Sequence, residues 1–174
     1  MPIAALITLA AVLIVVVYTE LTRRKIPNWL TGSATGLGFL IAAFEGGQAL
    51  VSSILGFLLG FGFFFVFWIC GKSSVKTHGR RPVSGGDMKL MGAAGALLGF
   101  TLVQIALVYM AVLGALLAVG MLVWSPDAWT RVQIALRIRK VGREEAVKLQ
   151  PLLVPYGLAI AGGCLLTLLV GVGR

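Results

Sequence analysis

The sequence predicts an all-α polytopic membrane protein, a bundle of about six transmembrane helices with both termini outside. Three observations predict it. Of the 174 residues, 59% are hydrophobic and 12% charged, at a mean hydropathy of +0.99, whereas a soluble domain carries about 25% charged residues. Glycine occurs 23 times, nearly twice its usual share of about 7%. The basic residues, finally, crowd into alternate loops between the apolar segments.

A helix needs about 20 apolar residues to cross a bilayer. Six segments approach or meet that length, at residues 2–19, 29–44, 48–71, 88–100, 102–124 and 152–172. The first is followed by Arg23, Arg24 and Lys25, whereas a secretory signal carries its basic residues ahead of the apolar run, so it reads as an uncleaved span. The second opens at Ile26-Pro27-Asn28-Trp29. Proline and asparagine there suit a helix start, and tryptophan suits the membrane interface. The third begins after the short turn Glu45-Gly46-Gly47.

The fourth segment is short for a crossing. Either it turns tightly into the fifth through Gly99 to Thr101, or the two form one broken span. Segment 131–150 mixes Val132, Leu136, Ile138 and Val141 with basic residues, the pattern of an amphipathic helix on the membrane surface, interrupted at Gly142. The sixth span closes a single domain over residues 1–174.

With six crossings, the loops after spans one, three and five lie on one side and hold 14 of the 15 basic residues. Only Arg174 falls opposite. Basic loops stay in the cytoplasm, so the chain is placed in the plasma (inner) membrane with those loops inside. A net charge of +9 on so little polar surface calls for anionic lipid as a partner and argues against nucleic acid. Cys70 and Cys164 lie in apolar runs without a CxxC pair, so neither a zinc site nor a disulfide framework is expected. Glycines at the spacing that brings helices together occur as Gly32 and Gly36, Gly56 and Gly60, and Gly95 and Gly99.

The six acidic residues carry the functional signal. Glu45, Glu144 and Glu145 read as solvated charges, Asp127 as a helix-boundary residue, and the lone His78 as a solvated loop residue. Glu20 ends the first span and Asp87 opens the fourth, which puts both at the cytoplasmic face. Ionisable residues at such a boundary are functional candidates when they face the bundle interior. The plainer alternative pairs Glu20 with Arg23 or Arg24, and Asp87 with Lys89. Ser84-Gly85-Gly86-Asp87 sets two glycines before the acid, where positive φ and close approach of a peptide backbone are permitted. No acidic or polar site sits mid-span, where transport sites usually lie.

Together these residues resemble the type IV prepilin peptidases, membrane aspartic proteases with a Gly-x-Gly-Asp motif. The family pattern is an acidic residue ending the first helix, a basic stretch, Ile-Pro-Asn, and later Gly-Gly-Gly-Asp-x-Lys-Leu before a small-residue helix. Glu20 to Asn28 and Ser84 to Leu90 take those places, and Pro155-Tyr156-Gly157 is similar to the family's ending. The resemblance implies an endopeptidase that cuts the basic leader from prepilin-like or pseudopilin proteins at the cytoplasmic membrane surface, with no metal or cofactor. Glu20 and Asp87 would be catalytic; Ile26, Pro27, Asn28, Ser84, Gly85, Gly86 and Lys89 would position motif and substrate. One neutral carboxylic acid and one carboxylate would activate a water between them.

Two positions depart from the pattern. Glu20 stands where the family has aspartate, and its extra methylene moves the carboxylate by roughly an ångström, a shift the backbone must compensate. Ser84 stands where the first glycine of the motif would be. The cysteine tetrad that larger members carry for methylation has no counterpart here, so the resemblance is to the short forms, which cleave without methylating. The alternative is a catalytically impaired homologue that binds pilins or assembles with secretion machinery.

Overall fold

The computed structural model describes residues 2–23, 26–70, 84–124 and 156–172. These form five helices: α1 (Ile3–Arg23), α2 (Asn28–Glu45), α3 (Gly47–Cys70), α4 (Gly85–Val123) and α5 (Tyr156–Val172). Arg23's side chain, Arg24 and Lys25, and with them the pairing of Glu20 with Arg23 or Arg24, the loop with His78, Asp127, Cys70's side chain, the amphipathic segment 131–150 and Arg174 lie outside the described residues. Three helical stretches, Ile3–Thr22, Gly47–Ile69 and Gly85–Val123, are long and apolar enough to cross a membrane, as expected of an integral membrane protein.

Helix α1 buries Ala5, Leu9, Val12, Leu13 and Val16 along one stripe and leaves Ile3, Ile7, Ile14 and Leu21 exposed. That is the three-and-four spacing of a helix packed on one side, with the outer side apolar enough for lipid. Pro27, at φ −66°, precedes the first turn of α2; its fixed φ and missing N–H suit a helix start. Helix α2 ends at Gly46, whose φ of 120° is costly for any residue with a Cβ. The one-residue link lets α3 start at once.

Helix α4 organises the bundle by packing against each of the other four helices. Every residue from Leu90 to Leu98 is buried, as befits a helix apolar all round. Its small residues let neighbouring backbones approach: a Cβ at Gly56 of α3 would overlap the Gly95 carbonyl oxygen, one at Gly60 would overlap that of Met91, and one at Gly38 of α2 would lie 3.1 Å from Ala96 Cβ. Gly56 therefore meets Gly95 and Gly99 backbone to backbone, while Gly60 lies against Met91 and Gly99 faces Ser52. Gly32 and Gly36, with the same spacing, meet no neighbour among the described residues: no described atom lies within 4 Å of a Cβ at either. Their face of α2 points away from the described helices, so spacing alone misassigns them.

At Gly99 the φ of 76° and ψ of 176° break the helix. Continued straight, α4 would carry Gly114 about 40 Å from Asp87, at 1.5 Å per residue. Instead Gly114 packs on Ala159, in the first turn of α5, two residues from Gly157, which lies against Glu20. Glu20 in turn is near enough to Asp87 for their charges to interact. The chain therefore doubles back at Gly99, and of the two readings of segments four and five the tight reversal is the one adopted. Residues 85–98 form the central helix; the returning arm packs on α5, where Gly163 meets Ala106 and Met110. Cys164 is fully buried at this contact, the packing role its apolar context predicts.

Candidate functional site

The site is built from the ends of four helices. Glu20, in the last turn of α1, is half-buried and directs its carboxylate toward the start of α5. A Cβ at Gly157 would overlap this carboxylate, Oε2 first and then Cδ at 2.8 Å. Oε2 is buried and has no hydrogen-bond partner among the described residues.

Asp87 reaches the same end of the bundle from the first turn of α4 and is 6% exposed. A capping box holds it. The Ser84 hydroxyl accepts from the backbone N–H groups of Gly86 (3.2 Å) and Asp87 (3.3 Å), while the Ser84 N–H donates to Asp87 Oδ2 at 3.1 Å. Donors left unpaired at the helix start are satisfied reciprocally, and the carboxylate is pinned at the third helical position. Gly85 and Gly86 are consequently helical. Among the described glycines positive φ occurs only at Gly46 and Gly99, so the freedom that Gly85 and Gly86 offer before Asp87 is not used; the cap holds both glycines in the helix.

What the glycines supply is room. A Cβ at Gly86 would sit 3.3 Å from Ile26 Cβ, so the Ile-Pro-Asn segment lies directly against the Gly-Gly-Asp segment. Among the described residues nothing lies within 4 Å of a Cβ at Gly85. Lys89 does not pair with Asp87. Its Nζ donates to Asn28 Oδ1 at 3.2 Å, and neither Glu20 nor Asp87 forms an ion pair among the described residues.

The structure thus brings Glu20, Ile26, Pro27, Asn28, Ser84, Gly85, Gly86, Asp87 and Lys89 to one end of the bundle. Sequence reasoning singled out all of these and missed the part played by Gly157. The available signal was a glycine at the head of the last helix together with an acid one methylene longer than the pattern. No group of three or more metal-ligating side chains occurs among the described residues. Chemically, two carboxyl groups on separate helices, one pinned by a cap and one with an uncommitted oxygen, form an arrangement suited to passing protons to and from a water and a carbonyl.

Residues 7–119 match the family described as type IV leader peptidase, a stretch that contains both acids and both motifs and stops short of α5. The prepilin leader peptidase/N-methyltransferase of Aeromonas hydrophila is 27% identical over 118 residues, covering 68% of this chain and 40% of that protein. The chain therefore spans less than half the length of that relative. No solved structure matches it.

Proposed function

The chain belongs to the type IV leader peptidase family, and from that premise we propose that it is an aspartic-type endopeptidase that removes the basic leader from prepilin-like or pseudopilin proteins. It works at the cytoplasmic surface of the plasma membrane, crossing the bilayer six times with both termini outside. The reversal at Gly99 supports the even number of crossings, and the basic loops support the orientation.

The observation that carries this reading is that Glu20 and Asp87, from helices remote in sequence, lie at one end of the bundle near enough for their charges to interact. One carboxyl group, protonated, donates to the scissile carbonyl while the other, ionised, takes a proton from the attacking water. Two such groups close together titrate as a unit, so the roles belong to the pair. The turn at Gly85 admits the extended leader segment beside Asp87, and the hydrophobic helix of the substrate lies along the bundle in the bilayer.

Mass spectrometry of a prepilin-like protein after incubation with the purified protein tests the reading. Cleavage by the wild type that disappears in Glu20→Gln and in Asp87→Asn is expected. An Asp87→Asn protein that still cleaves sinks it. The second reading, a pilin-binding homologue that has lost the chemistry, is favoured by the glutamate at position 20 and expects leader binding without product, with activity appearing in Glu20→Asp.

A further inference from the structure

Glu20 is one methylene longer than the aspartate of the family pattern, and that length has to go somewhere. It goes into the space a side chain at position 157 would fill. The Glu20 carboxylate occupies the place of the missing Cβ, and its Oε2 atom is buried there without a hydrogen-bond partner among the described residues. The Gly157 backbone N–H lies against the carboxylate, and with no further described partner at Oε2 the shape of the first turn of α5 decides where the carboxylate rests. Interiors are close-packed, and a space of one methyl group is enough to choose between two positions of a buried side chain.

We propose that Gly157 is the positioning residue for Glu20: the absent side chain at the head of α5 is the slot that takes up the extra methylene and holds the longer acid beside Asp87. Glu20 and Gly157 form a matched pair, each setting what the other position accepts. The inference rests on the reading of Glu20 and Asp87 as the reacting pair. It adds a fourth helix to the site, from beyond the stretch that matches the family, and a reason why glutamate serves where aspartate is the pattern.

The test is a double-mutant cycle of Gly157→Ala and Glu20→Asp in the full chain, read both as prepilin cleavage and as the midpoint of thermal unfolding in detergent micelles. A methyl group forced onto the Glu20 carboxylate is an overpacking change. Gly157→Ala is therefore expected to lower kcat by about tenfold or more when residue 20 is glutamate. Asp at position 20 draws the carboxylate back by about one C–C bond, 1.5 Å, so in Glu20→Asp the same alanine should change kcat less than about twofold. The unfolding midpoint should follow the same pattern, falling with Gly157→Ala only in the Glu20 chain. Alanine is the better helix former, so a fall there reports the clash and not a loss of helix propensity.

Equal losses from Gly157→Ala in both backgrounds, in rate and in midpoint, overturn the proposal, because a glycine needed only for helix packing is indifferent to residue 20. Should no form cleave, the peptidase reading fails and the thermal cycle still decides the pairing. A midpoint that falls only beside glutamate supports the slot, and one that falls equally in both removes it.

Discussion

The Lys89 ammonium donates a hydrogen bond to the Asn28 side-chain oxygen at 3.2 Å, joining the first turns of α4 and α2 across 61 residues of sequence. Ile26, against Gly86, forms a second contact between the same two segments. The turn that carries Asp87 is therefore fixed from two sides, by its own cap and by the start of α2. Both partners of the hydrogen bond are exposed, where such a contact contributes little to stability. Its effect is expected on the placement of Asp87. Lys89→Met and Asn28→Leu should each shift the unfolding midpoint by less than about 2 °C while lowering cleavage several-fold, and the double variant should be no worse than the poorer single one. Additive losses in the double variant would mean that the two side chains act separately, and cleavage rates of the four forms decide this.

Ser84 carries a different expectation. Its hydroxyl accepts from two backbone N–H groups at the head of α4, and replacing a serine cap by alanine costs about 1 kcal/mol, by glycine only a few tenths. Ser84→Ala should therefore lower the unfolding midpoint measurably and loosen Asp87, with reduced cleavage. Ser84→Gly, which restores the residue of the family pattern, should stay close to wild type in both. Circular dichroism melts in detergent together with the cleavage assay check the order alanine, glycine, serine.

How much of this was legible in the sequence differs from feature to feature. The helix bounds followed from apolar length, and the candidates Glu20 and Asp87 from their positions at helix ends, whereas Asn28 and Lys89 were named as site residues only through the resemblance. The conformation of Gly85 and Gly86 stayed open because glycine permits either sign of φ. Ser84 three residues before Asp87 was the better guide, being the spacing of a capping box. Gly157 was illegible as part of the site because its partner, Glu20, lies at the other end of the chain. The reversal at Gly99 rested on one glycine in an unbroken apolar run, and only the packing of Gly114 on Ala159 distinguishes a hairpin from a bent span.

The three glycine pairs make the same point as a prediction. Gly95 has the Gly56 backbone where its side chain would be, whereas Gly32 and Gly36 have open space. Gly95→Val should force α3 off the central helix, at a cost of about 3 kcal/mol or more, and sharply reduce the folded yield. Gly32→Ala and Gly36→Ala should change stability by no more than about 0.5 kcal/mol and leave cleavage intact. Size-exclusion profiles and thermal melts of the three variants measure this directly. A Gly32→Ala protein as damaged as Gly95→Val would mean that the outer face of α2 is occupied after all.

Among the backbone groups that the break at Gly99 separates are the Ala96 carbonyl and the Phe100 N–H, which a helix would have joined. Two neighbouring serines of α3 replace the lost bond: the Ser53 hydroxyl donates to the Ala96 oxygen, and the Ser52 hydroxyl accepts from the Phe100 N–H at 3.0 Å. The Ser53 bond is buried, where an unpaired group costs about 1–3 kcal/mol, whereas the Ser52 bond is exposed. Ser53→Ala should lower stability by about that amount and Ser52→Ala by less. The kink lies at the far end of the central helix from Asp87, so the folded fraction should keep its cleavage rate per molecule. Active-site titration combined with thermal melts separates the two quantities. A fall in kcat with an unchanged melt would instead mean that the reversal at Gly99 transmits its geometry along residues 85–98 to the carboxyl pair.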